Sequence, residues 1–302
     1  MSAPRILVYG ASNFLGSRIL AALGTEPSWT PVGADARTPI TPQALRDVRG
    51  VVNAAVGDAP GIRAQARLAT SAARAAGEEV LLVHLSSMTV YGSAVGIVAE
   101  SVPVRADLGA YAAAHIEAEE MARTHARTVI LRPGCEYGPG CAAWSERIGR
   151  LLIAHRLGDL GSAGDGYCNL IYIDDLADAV AQCLRRPAID GVFNLAMRAP
   201  PRWNEYLIRF GVALRAVPVR RIGARALRWE STVMAVPRKL AEVGARRLGA
   251  QRPLTAPPLT PSLLRLCRQE IVLAPDRAEE LLGIRWTPLD VGIARAAAAF
   301  AR

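Results

Sequence analysis

Apolar residues fall in short runs, and between the runs they recur every three or four positions. Near the N-terminus "RILVYG" is a β-rich run, "ASNFL" turns the chain, and "GSRILAALG" has helical spacing. "WTPVGAD" reads as a second strand ending at Asp35, "GVVNAA" as a third, and "VLLVHLSS" as a fourth, with the helix "IRAQARLATSAARAAG" before it. "AYAAAHIEAEEMARTHA" is built from strong helix formers and leads into the strand "TVILRP", which stops at Pro133. Beyond Pro139 the pattern loosens. "SERIGRLLIAHRLG" predicts a helix, "NLIYI" a short strand, "DDLADAVAQCLRRP" a helix opened by acidic residues, and "GVFNLA" another strand. Prolines punctuate the remainder, which reads as helical pieces. Strands alternating with helices imply parallel βαβ units, so the chain is expected to be an α/β protein with a doubly wound parallel sheet.

Composition changes this picture little. At 302 residues and 51% hydrophobic, the chain can bury one sizeable core with a smaller lobe beside it. It has neither a leader-like N-terminus nor about 18 uninterrupted apolar residues anywhere, which places it in the cytoplasm. The five cysteines show no CxxC spacing and are read as buried free thiols, with no metal site expected. The formal charge of +9 is concentrated: between Arg215 and Arg252 ten basic residues face only Glu230 and Glu242, and ten minus two is +8. No nucleic-acid-binding signature accompanies these arginines, so the expected partner is a small molecule. A solvated arginine face is preferred to membrane contact. Lys239 is the only lysine in the chain.

The chemistry begins at "GASNFLG". Gly10 and Gly16 stand where a dinucleotide-binding turn needs glycine, after the first strand and where the helix meets the sheet. Ser12, Asn13, Phe14 and Leu15 complete the turn, and the helix N-terminus beyond it would receive a pyrophosphate. Asn13 replaces the middle glycine. Asparagine tolerates positive φ, so the turn is expected to survive with tighter phosphate access. Asp35 lies where a carboxylate accepts from the adenosine ribose, favouring NAD, while Arg37 could attract the 2′-phosphate of NADP. Ala54 and Ala55, at the end of the third strand, fall at the same cofactor edge of a Rossmann-type sheet.

Taken in order, "GASNFLGS", "LSSMTVYG" at 85–92, "YAAAH" from Tyr111, "LRPGCEYGPG" at 131–140, "YIDDLADAV" at 172–180 and "GVFNLA" from Gly191 resemble the successive motifs of extended short-chain dehydrogenase/reductases, the NAD-dependent epimerase/dehydratase family. The closing "LLGIRWTPLDVGIARAAAAF" is similar to that family's last helix. The resemblance implies a dinucleotide-binding domain from residues 1–165 with part of 166–200, and a substrate lobe from 201–302 with parts of 134–170. It makes Tyr111 the acid/base and Ser87 the hydroxyl that polarises a substrate oxygen, with Met88 and Thr89 beside the substrate and Pro133 beside the cofactor. Family members carry a lysine four residues after the tyrosine, on the same helical face, to hold the nicotinamide ribose and stabilise the phenolate. This chain has His115. Drift of lysine toward arginine does not explain a histidine, and a neutral imidazole brings little positive charge at neutral pH.

Glu136 stands where the family has a small or apolar residue; it is read either as a substrate contact or as a solvated loop carboxylate, with Tyr137 next to it. Cys168 and Asn169 occupy the segment where nucleotide-sugar members carry a diphosphate-gripping arginine, which argues against such substrates. The segment 202–266 looks more like that of members handling apolar carbonyl compounds. The resemblance thus implies an NAD(P)-dependent oxidoreductase interconverting a carbonyl and an alcohol. Two alternatives stay open: an epimerase, dehydratase or lyase that uses the cofactor transiently or not at all, and a cofactor-sensing protein without turnover. A homodimer packed on the Tyr111 helix is usual for the family.

Overall fold

The computed structural model describes residues 3–35, 41–54, 56–186, 188–229 and 259–301. In chain order the strands are β1 (Arg5–Tyr9), β2 (Thr30–Ala34), β3 (Val48–Asn53), β4 (Leu81–Leu85), β5 (Gly96–Val98), β6 (Thr128–Pro133), β7 (Cys135–Tyr137), β8 (Leu170–Tyr172), β9 (Gly191–Leu195) and β10 (Ile271–Leu273). Six of them form one sheet in the order β2-β1-β3-β4-β6-β9. All its pairings are parallel, with Ile6 opposite both Pro31 and Gly50, and Leu131 opposite Phe193. The chain steps from β1 outward to β2 and then crosses back to β3, so the order reverses at β1. Sheets of this Rossmann type leave a crevice there, beyond the carboxyl ends of the strands.

Parallel strands are covered on both faces, which is why these runs are apolar throughout rather than alternating. Ile6 and Val8 point to the face covered by α1 (Phe14–Gly24) and α5 (Ile173–Arg185), where Leu15, Ile19, Leu23, Leu176 and Val180 pack. Leu7 and Tyr9 point the other way, onto Ala69, Ala72 and Ala73 of α2 (Ala59–Ala76) and Ala122 of α3 (Ala110–Arg123). Small residues let α2 and α3 approach closely: Ala66, Ala114 and Ala118 cluster with Ile62. Asp58 caps α2 by accepting from the Gly61 amide, and Asp174 and Asp175 sit in the first turn of α5.

The chain divides into two compact units, 1–134 with 171–198 and 273–286, and 135–170 with 199–272 and 287–302. The first holds the six-stranded sheet. Its last piece was not foreseen as part of it: Ala278, Leu282 and Ile284 are buried in the same core as α5. The second unit has an aromatic core, with Tyr206 stacked on Phe210 at 5.7 Å and Trp144 tilted on Trp203 at 5.6 Å. The helix predicted over 145–158 is shorter, with α4 spanning Arg147–Ile153. His155 turns out of it at φ 51°, and Gly158 then lies so close to the Arg220 carbonyl that a Cβ would come within 2.2 Å. α6 (Trp203–Ala213) and the helix Leu289–Ala298 complete this unit. Most of the basic 215–252 stretch lies outside the described residues.

All five cysteines are free and buried: Cys183 in the first unit, and Cys135, Cys141, Cys168 and Cys267 in the second. Among the described residues no helix is long and apolar enough to cross a membrane, and no group of side chains is set to hold a metal ion.

Candidate active site

The turn after β1 is closed by contacts that exclude larger residues. Gly10 adopts φ 85°, where a side chain is strained, and a Cβ there would lie 2.6 Å from the Ala54 carbonyl oxygen. At Gly16 a Cβ would fall 2.1 Å from the Gly10 carbonyl oxygen. Asn13 departs from expectation. Its φ is −87°, so the position makes no demand for a left-handed backbone. Its side chain instead caps α1: Oδ1 accepts from the Gly16 amide at 2.8 Å, and Nδ2 donates to the Ala54 carbonyl at 2.9 Å. The Ser17 amide bonds the Asn13 carbonyl. Among the described residues this leaves the Phe14 and Leu15 amides as first-turn donors without a protein acceptor. Ser12 is exposed, the Leu15 side chain is in the core, and half-buried Asp35 follows β2 directly. Arg37 and Ala55 lie outside the described residues.

The second cluster sits at the end of β4 and on α3. Ser87 has an extended backbone and caps a short 3-10 turn, its Oγ accepting from the Thr89 amide at 3.3 Å. Met88 is buried at 5% exposure, so its side chain faces the interior. Thr89 is half-buried, and its Oγ1 is enclosed without a hydrogen-bond partner among the described residues. Tyr111 is 45% exposed, and its ring meets the His115 ring edge-on, with centroids 4.7 Å apart. The i, i+4 spacing thus brings the two side chains together. His115 itself is 2% exposed, and neither ring nitrogen has a hydrogen-bond partner among the described residues. Burial pushes its pKa down to about 4, against a smaller upward pull from Glu119. It is therefore a neutral imidazole at physiological pH. Behind it His84, also near 4 through burial, takes a hydrogen bond from Asn53 Nδ2 to Nδ1 at 3.0 Å.

One turn further along α3 lies a group that the sequence reading missed. Glu119 is 1% exposed and accepts from Arg132 twice, Nε to Oε1 at 2.8 Å and Nη2 to Oε2 at 2.7 Å. Ser86 Oγ donates to it at 2.6 Å and Arg123 Nη2 at 3.0 Å. Burial raises the Glu119 pKa, but the bonds and charge of Arg132, with the Ser86 bond and the Arg123 charge, outweigh it, and the net shift is downward. Arg132 continues to the Tyr91 hydroxyl at 2.9 Å, and that hydroxyl donates to Asn194 Oδ1 at 2.6 Å. The network locks Ser86, next to Ser87, to the α3 helix that carries Tyr111. A charged residue inside the apolar run "TVILRP" was the available signal, since a buried guanidinium requires a partner.

Pro133 is buried at the end of β6. In the second unit Glu136 is half-buried, not freely solvated, and burial raises its pKa to about 7. Tyr137 is fully enclosed, edge-on to Tyr206 at 6.1 Å, and Gly292 makes room for it. Cys168 and Asn169 are buried too, with Asn169 Nδ2 donating to the Ile271 carbonyl at 2.8 Å.

Residues 59–196 match the model of the NAD dependent epimerase/dehydratase family. That segment carries the α3 cluster, and the parallel six-stranded sheet to which it contributes is of the Rossmann type. No curated protein matches the sequence. Among solved structures, UDP-glucuronic acid 4-epimerase from Bacillus cereus, in complex with UDP-glucuronic acid and NAD, is similar with 17% identity and a TM-score of 0.70 over 98% of this chain and 99% of that one. Human epimerase family protein SDR39U1 with NADPH is similar at 17% identity and a TM-score of 0.71, over 97% and 99% of the two chains. The Bordetella bronchiseptica enzyme WbmH with NAD+ follows at 16% and 0.69, over 99% of each. At these identities the likeness is one of fold. The Gly10 and Gly16 turn, which a Cβ would fill, and the unpartnered His115 nitrogens fit a nicotinamide dinucleotide.

Proposed function

We propose that the protein is an NAD-dependent enzyme of the epimerase type that oxidises a secondary hydroxyl of a small molecule and returns the hydride within the same turnover. The observation that carries this reading is the Tyr111–His115 pair, a half-exposed phenol against a buried neutral imidazole with two unused nitrogens. The bound dinucleotide supplies a hydride acceptor and donor. The turn from Gly10 to Gly16 would hold its pyrophosphate through the Phe14 and Leu15 amides, Asp35 its adenosine ribose, and His115 its second ribose through a ring N–H. As a phenolate, Tyr111 would take the substrate hydroxyl proton at its oxygen, becoming the neutral phenol, and would give that proton back as the hydride returns. Ser87 hydrogen-bonds the same substrate oxygen, held in place by the Ser86–Glu119 bond next to it. Because His115 stays neutral, it orients the ribose and Tyr111 without contributing charge. Where the resemblance implies a diphosphate-gripping arginine the sequence has Cys168 and Asn169, which favours substrates other than nucleotide sugars although structurally similar proteins bind them.

A second reading, a reductase or dehydrogenase with an exchangeable cofactor, is favoured by Asn13, which withdraws the Gly16 amide from a phosphate. One experiment separates the two. Purified protein is assayed for dinucleotide released on denaturation, then for conversion of a panel of secondary alcohols, with absorbance at 340 nm followed throughout. Epimerisation without net reduced cofactor is expected, and steady accumulation of reduced cofactor would move the assignment to the second reading. In either case Tyr111→Phe should lower kcat by about 10²- to 10⁴-fold with dinucleotide binding retained. Turnover at the wild-type rate would remove Tyr111 from the chemistry.

A further inference from the structure

The second unit carries a surface that the proposed chemistry does not use. Along α6, Ile208 and Val212 lie four residues apart on one face, exposed at 40% and 56%, and beyond the helix Val217 and Trp229 are exposed at 57% and 58%. Between Val212 and Trp229 the sequence has five arginines and no carboxylate. Arg215, Arg220, Arg221 and Arg225 are exposed. Among the described residues the ion-pair partner of Arg221 is Asp159, at 3.9 Å, whereas Arg209 on α6 is neutralised by Glu205 and Asp290. The stretch is held to the body of its unit. The Ala216 amide bonds the Gly211 carbonyl, and Asp159 bonds the backbone on both sides, its amide to the Arg220 carbonyl and its carbonyl to the Ile222 amide. The chain that carries Val217, Arg220 and Arg221 is therefore fixed to the body of its unit, next in sequence to the exposed face of α6.

We propose that this face, α6 with the segment through Trp229, docks onto an anionic lipid bilayer. Exposed aliphatic side chains and an indole suit the boundary between headgroups and acyl chains, and arginines beside them suit acidic headgroups. A second copy of the chain is disfavoured, because a self-complementary contact would set arginine against arginine. A nucleic acid would leave Ile208, Val212 and Val217 without a role.

The test uses the full-length protein and sedimenting vesicles, one set of phosphatidylglycerol mixed with phosphatidylcholine and one of phosphatidylcholine alone. Pelleting with the mixed vesicles at low salt, its loss in 0.5 M salt, and little pelleting with phosphatidylcholine are expected. Tryptophan emission should shift to the blue on mixed vesicles, and Trp229→Phe should remove that shift while the other four tryptophans remain. Arg215→Glu with Arg220→Glu should weaken partitioning more than about 20-fold, taking about fivefold per arginine lost. Val212→Glu should weaken it as well, with an unchanged thermal melt showing that the fold is kept. No pelleting, equal pelleting on both vesicle types, or wild-type partitioning by these variants would overturn the proposal. So would a dimer that Val212→Glu dissociates, or duplex DNA binding without vesicle binding.

Discussion

Two successive turns of α3 bury a polar side chain on the same face, His115 at 2% exposure and Glu119 at 1%. Glu119 receives bonds from Ser86, Arg123 and both ends of the Arg132 guanidinium. The His115 ring has no hydrogen-bond partner among the described residues. An ion is tolerated inside the fold because every oxygen is matched; the imidazole carries an unmet desolvation cost of about 1–3 kcal/mol. The lower turn is thus complete as it stands, and the upper turn leaves a buried polar ring unmatched among the described residues.

The contrast breaks most severely at Glu119. Glu119→Ala strands Arg132 in the interior and should cost about 3–5 kcal/mol in urea unfolding at pH 7. The double replacement Glu119→Leu with Arg132→Met should recover most of that loss, since the buried charge leaves with its partner. A single-variant cost below about 1 kcal/mol would mean the network is dispensable.

Acid sharpens the other side. His115 and His84 titrate near 4 in the folded protein and near 6.5 when unfolded. Between those values the unfolded chain binds more protons, so stability falls as pH drops from about 6.5 toward 4. Each histidine can account for up to about 3 kcal/mol across that window. His115→Leu should flatten part of the decline and leave stability at pH 7 unchanged or slightly higher. An identical slope in the variant would show that His115 is not the titrating group.

The smallest effect is expected at the β1 turn. Asn13→Gly gives up a cap worth only a few tenths of a kcal/mol relative to glycine, together with the bond to Ala54. It also frees the Gly16 amide, so NAD binding measured by calorimetry should tighten several-fold. Weaker binding would show that the Asn13 side chain itself holds the cofactor.

These sites were not equally legible in the amino-acid sequence. The sheet strands could be read because a buried parallel strand must be apolar along its whole length, and Gly10 and Gly16 because only glycine fits those contacts. Tyr111 and His115 share a helical face by spacing alone. Glu119 and Arg132 escaped because their partnership joins a helix to a strand, and no periodicity along the chain encodes such a meeting. Asn13 was assigned the right place and the wrong reason: its value lies in its side-chain amide, not in its tolerance of positive φ. The return of 273–286 to the first unit was hidden for a related cause, since Ala278, Leu282 and Ile284 satisfy a core built by residues a hundred positions earlier.

The distribution of the thiols has a practical consequence. All five are sealed from solvent, and burial raises their pKa, to about 11 at Cys141 and about 12 at Cys183 and Cys267. An alkylating reagent therefore reacts only during an opening event. Because Cys183 reports on one unit and the other four on the second, peptide-resolved alkylation over time turns the native protein into a pair of built-in clocks, each recording how often its own half breathes.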